Sequence, residues 1–142
     1  MARAAVVYES QTGITRQLAE EIGDFIAQRG IEPNVASIDD CDPASLVEVE
    51  YVLLGCWTNG LMIAFQHPTK RWIAWAHRLP PLPSARLGLF TTYKLATGTM
   101  FRQMRRELPG LAPPIALELK SRDGHLNDAH RRALAEFVGL TR

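Results

Sequence analysis

Ser10-Gln11-Thr12-Gly13-Ile14-Thr15 sets three hydroxyls and a glycine between a short apolar run and an amphipathic one. With a strand before it and a helix after it, this segment gathers hydroxyls and backbone N–H groups at a helix N-terminus, where the macrodipole favours negative charge. Gly13 lets the backbone come close to an oxyanion. No Lys or Arg precedes the helix, so the chemistry implied is the holding of a phosphate by neutral donors. Plain helix capping by the same residues is the alternative. Other phosphate chemistries lack their residues. There is no Gly-Lys-Ser/Thr, no Cys opening the loop, and no acidic pair at the strand end, where Glu9 stands alone.

Two further segments could hold a flat ring. Gly55-Cys56-Trp57-Thr58-Asn59-Gly60-Leu61 and Thr91-Thr92-Tyr93-Lys94-Leu95-Ala96-Thr97-Gly98 each follow an apolar run. Each carries one aromatic side chain, Trp57 or Tyr93, a large contact surface on a two-torsion stem. The alternatives are a core role for Trp57 and a plain surface position for Tyr93. Trp72 and Trp75, three apart on a helical pattern, read as core. No Ser-His-Asp or Cys-His arrangement is visible, and no His has Cys or carboxylate partners at metal spacing, so neither a catalytic residue nor a metal site is assigned. Cys41 and Cys56 make no disulfide framework.

These segments need elements to position them. Ala4 to Tyr8, Glu32 to Ile38, Tyr51 to Gly55, Leu87 to Phe90 and Ile115 to Leu119 read as strands. Helical spacing links Ile14, Leu18, Ile22, Phe25 and Ile26, and Gly30 ends that helix as a left-handed cap. Further helices are expected over Pro68 to Leu79, over Thr99 to Leu108, and after Asn127, where Leu134, Phe137, Val138 and Leu140 can pack. Such alternation predicts one α/β domain over residues 1–142, an open, doubly wound parallel sheet with helices on both faces. Ligands of such sheets sit at the carboxyl ends of the strands, where the three segments fall.

At this point a family resemblance becomes specific. Val6 to Thr15 resembles the first strand and phosphate loop of flavodoxins, with Ser10, Thr12, Gly13 and Thr15 matching Ser/Thr-x-Thr-Gly-x-Thr and Gln11 and Ile14 at its free positions. The resemblance implies a five-stranded sheet of order 2-1-3-4-5, FMN as cofactor, and its 5′-phosphate in this loop. The second segment is similar to the loop whose backbone beside a second glycine, here Asn59-Gly60-Leu61, meets the flavin, with Trp57 and Thr58 alongside. In the third, Tyr93 matches the tyrosine that stacks on the outer face of the ring, with Thr91, Thr92 and Gly98 near its pyrimidine edge. Family members usually carry Asp where this chain has Leu61, and an aromatic residue or Met where it has Asn59. Ile115 runs straight to Ser121 with no insertion, as in the short-chain type.

The chain has 142 residues, 16 basic and 15 acidic, for a formal charge of +1, which excludes a globally basic nucleic-acid binder. That sum hides a segregation. Tyr51 to Arg106 holds eight basic residues and no Asp or Glu, so the middle carries +8 and the flanks −7. Chance clustering on solvated faces is one reading, and a surface for an anionic partner is the other. No apolar run reaches the ~20 residues of a bilayer span, and the first residues lack a signal-peptide pattern, so a cytoplasmic protein is expected. The function implied is an FMN-binding electron-transfer protein shuttling electrons between redox partners that present an acidic docking surface. The alternatives are an FMN-dependent oxidoreductase (a quinone reductase or protoporphyrinogen-type dehydrogenase) and a flavodoxin-fold interaction domain without FMN.

Overall fold

The computed structural model describes residues 2–58, 66–94, 96–110 and 113–139. Along the chain run β1 (Arg3–Glu9), α1 (Ile14–Gln28), β2 (Glu32–Ser37), β3 (Tyr51–Trp57), α2 (Lys70–Ala76), β4 (Arg86–Thr92), α3 (Met100–Arg106), β5 (Ile115–Ser121) and α4 (Asp128–Gly139). The strands form one parallel sheet of order β2-β1-β3-β4-β5. That is the doubly wound flavodoxin order, with β1 and β3 side by side at the point where the strand order reverses.

Side-chain alternation builds two cores. Ala5, Val7, Val52, Leu54, Cys56, Leu87 and Leu89 face one side and pack with Trp72 and Trp75 of α2 and Met100 and Met104 of α3. Ala4, Val6, Leu53, Phe90, Leu117 and Leu119 face the other, against Leu18, Ile22 and Ile26 of α1 and Leu134, Phe137 and Val138 of α4. Both Trp72 and Trp75 are core residues, as their spacing suggests. Thr69 caps α2, its hydroxyl accepting the Trp72 N–H at 3.1 Å. Asn127 caps α4 by accepting the His130 N–H at 2.8 Å. Leu140 lies outside the described residues.

The strands run further toward the carboxyl edge than their apolar runs. Trp57 and Thr92, read from the sequence as loop residues, are paired strand ends, and Thr92 also pairs with Ser121. The reason is local. Thr91 is fully buried, and its hydroxyl donates to the Cys56 carbonyl at 2.6 Å, so a polar side chain is satisfied inside the sheet. α2 and α3 are shorter than the ranges expected for them, and Met100 and Met104 form the buried stripe of α3, with Phe101 and Leu108 packed at its margin.

Gly55 shows how tightly the central strands pack. A Cβ there would lie 2.1 Å from Phe90 Cε2, and Phe90 is itself fully buried. Gly55→Ala should therefore destabilise the apo-protein by about 1–3 kcal/mol through overpacking, read as a lowered thermal midpoint.

Candidate functional site

β1 delivers Ser10 to the carboxyl edge, and the chain turns into α1 through Gly13, whose φ of 92° is left-handed. Nothing lies within 4 Å of a Cβ placed there, so the loop is open above the helix end. The first turn of a helix leaves its N–H groups without intrahelical acceptors. Here the Ser10 hydroxyl accepts two of them, from Gly13 at 3.0 Å and from Arg16 at 3.4 Å. The N–H groups of Ile14 and Thr15 belong to the same turn and are not taken up by Ser10. Gln11 and Thr12 are exposed. Arg16 points its guanidinium at Glu20, 3.2 Å away. Main-chain N–H groups and neutral hydroxyls at a helix N-terminus, with no carboxylate among residues 10–15, make a donor set that fits a phosphate.

Thr15 differs from the expectation of three outward hydroxyls. It is 1% exposed, and its Oγ1 lies 2.5 Å from Thr92 Oγ1. This bond ties the start of α1 to the end of β4, across 77 positions of sequence. Thr58 joins the same edge, its N–H donating to the Thr92 carbonyl at 2.8 Å and its hydroxyl meeting that of Thr91 at 2.9 Å. Residues 10–15, 57–58 and 91–93 are thus brought together at the carboxyl ends of β1, β3 and β4. Asn59, Gly60 and Leu61, expected at the ring, lie outside the described residues.

Trp57 is half-buried at the end of β3 and packs against the core on the α2 side. Its indole N–H donates to Glu9 at 3.1 Å. Cys56 beside it is fully buried, and burial pushes its thiol up to about 12, despite hydrogen bonding to Thr69. Tyr93 follows β4 and is half-buried. Its ring is flanked by cations, Arg122 Cζ at 5.5 Å and Lys120 Nζ at 5.9 Å from the centroid, with the exposed Lys94 next in sequence. Gly98 (φ 50°) comes so close to Gln66 that a Cβ would sit 2.2 Å from its Oε1, and Thr99 Oγ1 donates to the Gln66 carbonyl at 2.9 Å. That contact docks the β4–α3 loop onto the segment leading into α2.

Four contributors escaped the sequence reading. Lys120 and Arg122 come from the end of β5, outside the acid-free middle. Gly124, also after β5, abuts the first turn of α1, where a Cβ would meet the Ile14 carbonyl at 2.8 Å. Glu9 was visible only as an isolated acid, and it is buried beneath Trp57. Within the acid-free middle, Arg71 pairs with Glu9 and Asp39, Arg105 pairs with Glu118, and Arg86 donates to the Phe137 carbonyl. Lys70, Arg78, Lys94, Arg102 and Arg106 are exposed and make no ion pair among the described residues. Among those residues no group of three or more His, Cys, Asp or Glu is placed to hold a metal ion. Nor is any helix long and apolar enough to cross a membrane.

The comparisons with known proteins agree with this geometry. The flavodoxin family model matches residues 6–94. A Bacillus subtilis protein named "Probable flavodoxin 1" is 33% identical over 60 residues, 42% of this chain and 38% of that protein, so the match spans well under two thirds of its relative. Flavodoxin 1 from Bacillus cereus shares the fold with a TM-score of 0.76 at 18% identity, over 99% of this chain and all of that one. The two-electron reduced flavodoxin of Megasphaera elsdenii shares it with a TM-score of 0.75 at 19% identity, over 94% and 96% of the two chains. The chain belongs to the flavodoxin family, a membership that implies FMN binding and electron transfer.

Proposed function

We propose that this protein is an FMN-binding electron carrier that works between protein partners in the cytoplasm. The observation that carries the reading is the Thr15–Thr92 bond, which locks the oxyanion-binding turn of α1 against the strand end that leads to Tyr93. A phosphate held at one end of a cofactor and a ring held at the other need such a fixed span. Ser10 and Thr12, with the N–H groups of residues 11, 12, 14 and 15, hold the phosphate, while the Gly13 N–H is taken by the Ser10 hydroxyl. Trp57 and Thr58 line one side of the ring and Tyr93 and Gly98 the other, while the buried Thr91 and Thr92 fix the strand ends behind them through their bonds to Cys56 and Thr15. FMN supplies the redox chemistry, while the chain binds it, orients it and limits its access. Among the described residues no side chain is placed as a nucleophile with a partnering base, so any chemistry in this reading belongs to the flavin.

Titration of the apo-protein with FMN tests the binding, and turnover tests the role. A carrier reduces quinones slowly alone and accelerates with a reductase; rapid unaided turnover would mean an enzyme. Absence of flavin binding would leave an interaction domain.

The partner in this reading presents an acidic surface. Support comes from the cations around Tyr93, namely Lys94, Lys120 and Arg122, together with exposed Arg102 on α3. Glu118 on β5 is neutralised by Arg105. Because α3 runs antiparallel to β5, that pair sets Arg102 toward the level of Lys120. Association should slow as salt rises, since exposed charges are screened beyond ~8–10 Å. Charge reversal at Arg102 and Lys120 should slow electron transfer in stopped-flow traces, and a rate indifferent to salt would remove the acidic partner.

A further inference from the structure

Among the described residues Glu9 is the one charged side chain that is buried, at 6% exposure. It ends β1, one residue before the phosphate loop, and continues the face of Ala5 and Val7 toward α2. Its Oε2 accepts the Trp57 indole N–H at 3.1 Å. Its Oε1 lies 3.5 Å from Arg71 Nη1, and the other guanidinium nitrogen of Arg71 bonds Asp39. One carboxylate thus joins the carboxyl ends of β1 and β3 to the first turn of α2 and to the 3-10 turn Ile38–Asp40 after β2.

As a stabilising device this is a poor choice. A buried carboxylate keeps a desolvation penalty, and a well-packed apolar residue of similar volume is often neutral or stabilising in its place. Its counter-ion is Arg71, whose side chain is 58% exposed and shared with Asp39, so compensation is partial. What the carboxylate does provide is direction. An indole on a strand end can turn about two torsions, and a charged acceptor below it selects one orientation.

We infer that Glu9 is a positioning residue for the flavin site, fixing the Trp57 indole at the start of the β3–α2 segment, with Arg71 and Asp39 holding the carboxylate in place. The inference rests on the FMN-binding reading and adds a residue that no loop motif contains. It acts on the ring side, so it bears on FMN and riboflavin alike.

The test measures FMN and riboflavin affinities and thermal midpoints of the apo-protein. Glu9→Leu should leave the midpoint equal or higher, yet weaken both flavins by about tenfold, the equivalent of one charge-assisted hydrogen bond. Glu9→Gln keeps an acceptor for the indole, so it should restore most of that affinity. Trp57→Phe should cost as much as Glu9→Leu, and the double variant no more than either alone, because both remove one oriented indole. Unchanged affinity in Glu9→Leu overturns the inference, as do losses that simply add in the double variant or a failure of Glu9→Gln to rescue. A wild-type apo-protein that binds neither flavin overturns the functional reading and this inference with it.

Discussion

FMN should bind the apo-protein far more tightly than riboflavin, and Thr12→Ala should remove much of that difference while leaving riboflavin affinity almost unchanged. The three hydroxyls of the loop are not equivalent. A hydroxyl has one donor hydrogen and two acceptor positions. Ser10 Oγ already accepts two N–H groups, so what it can still offer is its hydrogen, directed at an acceptor such as a phosphate oxygen. Thr15 is buried and joined to Thr92, so its hydroxyl serves first to tie α1 to β4. Thr12 is exposed and has no hydrogen bond among the described residues, which makes it the variant that removes a ligand contact and nothing else.

Each lost charge-assisted hydrogen bond costs on the order of 1.5–3 kcal/mol, about ten- to a hundredfold in FMN affinity. Ser10→Ala should cost more, because it also frees the Gly13 and Arg16 N–H groups that shape the turn. Arg16, the one cation within residues 10–16, does not soften these losses, since it is turned toward Glu20. Parallel titrations with the two flavins check the point, and equal losses for both would mean that the phosphate sits elsewhere.

What made the fold legible was the coincidence of apolar runs with helical periodicity. Val6, Leu53 and Leu89 sit in strands of a sheet covered on both faces, where the middle positions are apolar, and such runs stand out in a sequence. The turn at residues 10–15 stood out because a glycine and clustered hydroxyls precede an amphipathic helix, and Ser10 does accept N–H groups of its first turn. Strand ends were harder, since Thr91 and Thr92 are polar and read as loop. Their burial depends on partners from β3 and α1, distant in sequence, and no local pattern reports that. The cations on Tyr93 were hidden for the same reason. Lys120 and Arg122 lie 27 and 29 positions further along and arrive only because β5 pairs with β4. Glu9 went unread because an isolated acid at a strand end is usually solvated.

Those cations bear on the redox potential, where the second large effect is expected. Both ring-side segments lack Asp and Glu, and Leu61 stands where flavodoxins usually carry an acid. Reducing the flavin fully adds a negative charge, which acidic surroundings oppose. Here the surroundings of Tyr93 are positive, with Arg122 and Lys120 within 6 Å of its ring centroid and Lys94 beside it. Two acids stand nearby: Glu9 is partly offset by Arg71, and Asp123, next to Arg122, has its carboxylate bonded to Ser121 and the His125 N–H and opposes part of the positive field. Two unit charges several Å apart interact by roughly 1–4 kcal/mol at effective dielectric constants of 80 to 20. The second electron should therefore enter at a less negative potential than in an acidic short-chain flavodoxin measured in parallel by spectroelectrochemistry, and an equal potential would sink the argument. Lys94→Glu, Lys120→Glu and Arg122→Glu should each lower it, and an effect confined to the last two would mean that Lys94 points into bulk water. A less negative second potential also narrows the gap between the two one-electron steps, so the protein should accept electrons more nearly in pairs. If quinone turnover without a reductase then proves rapid, the same cations that suit an acidic partner will have made the carrier into an oxidoreductase.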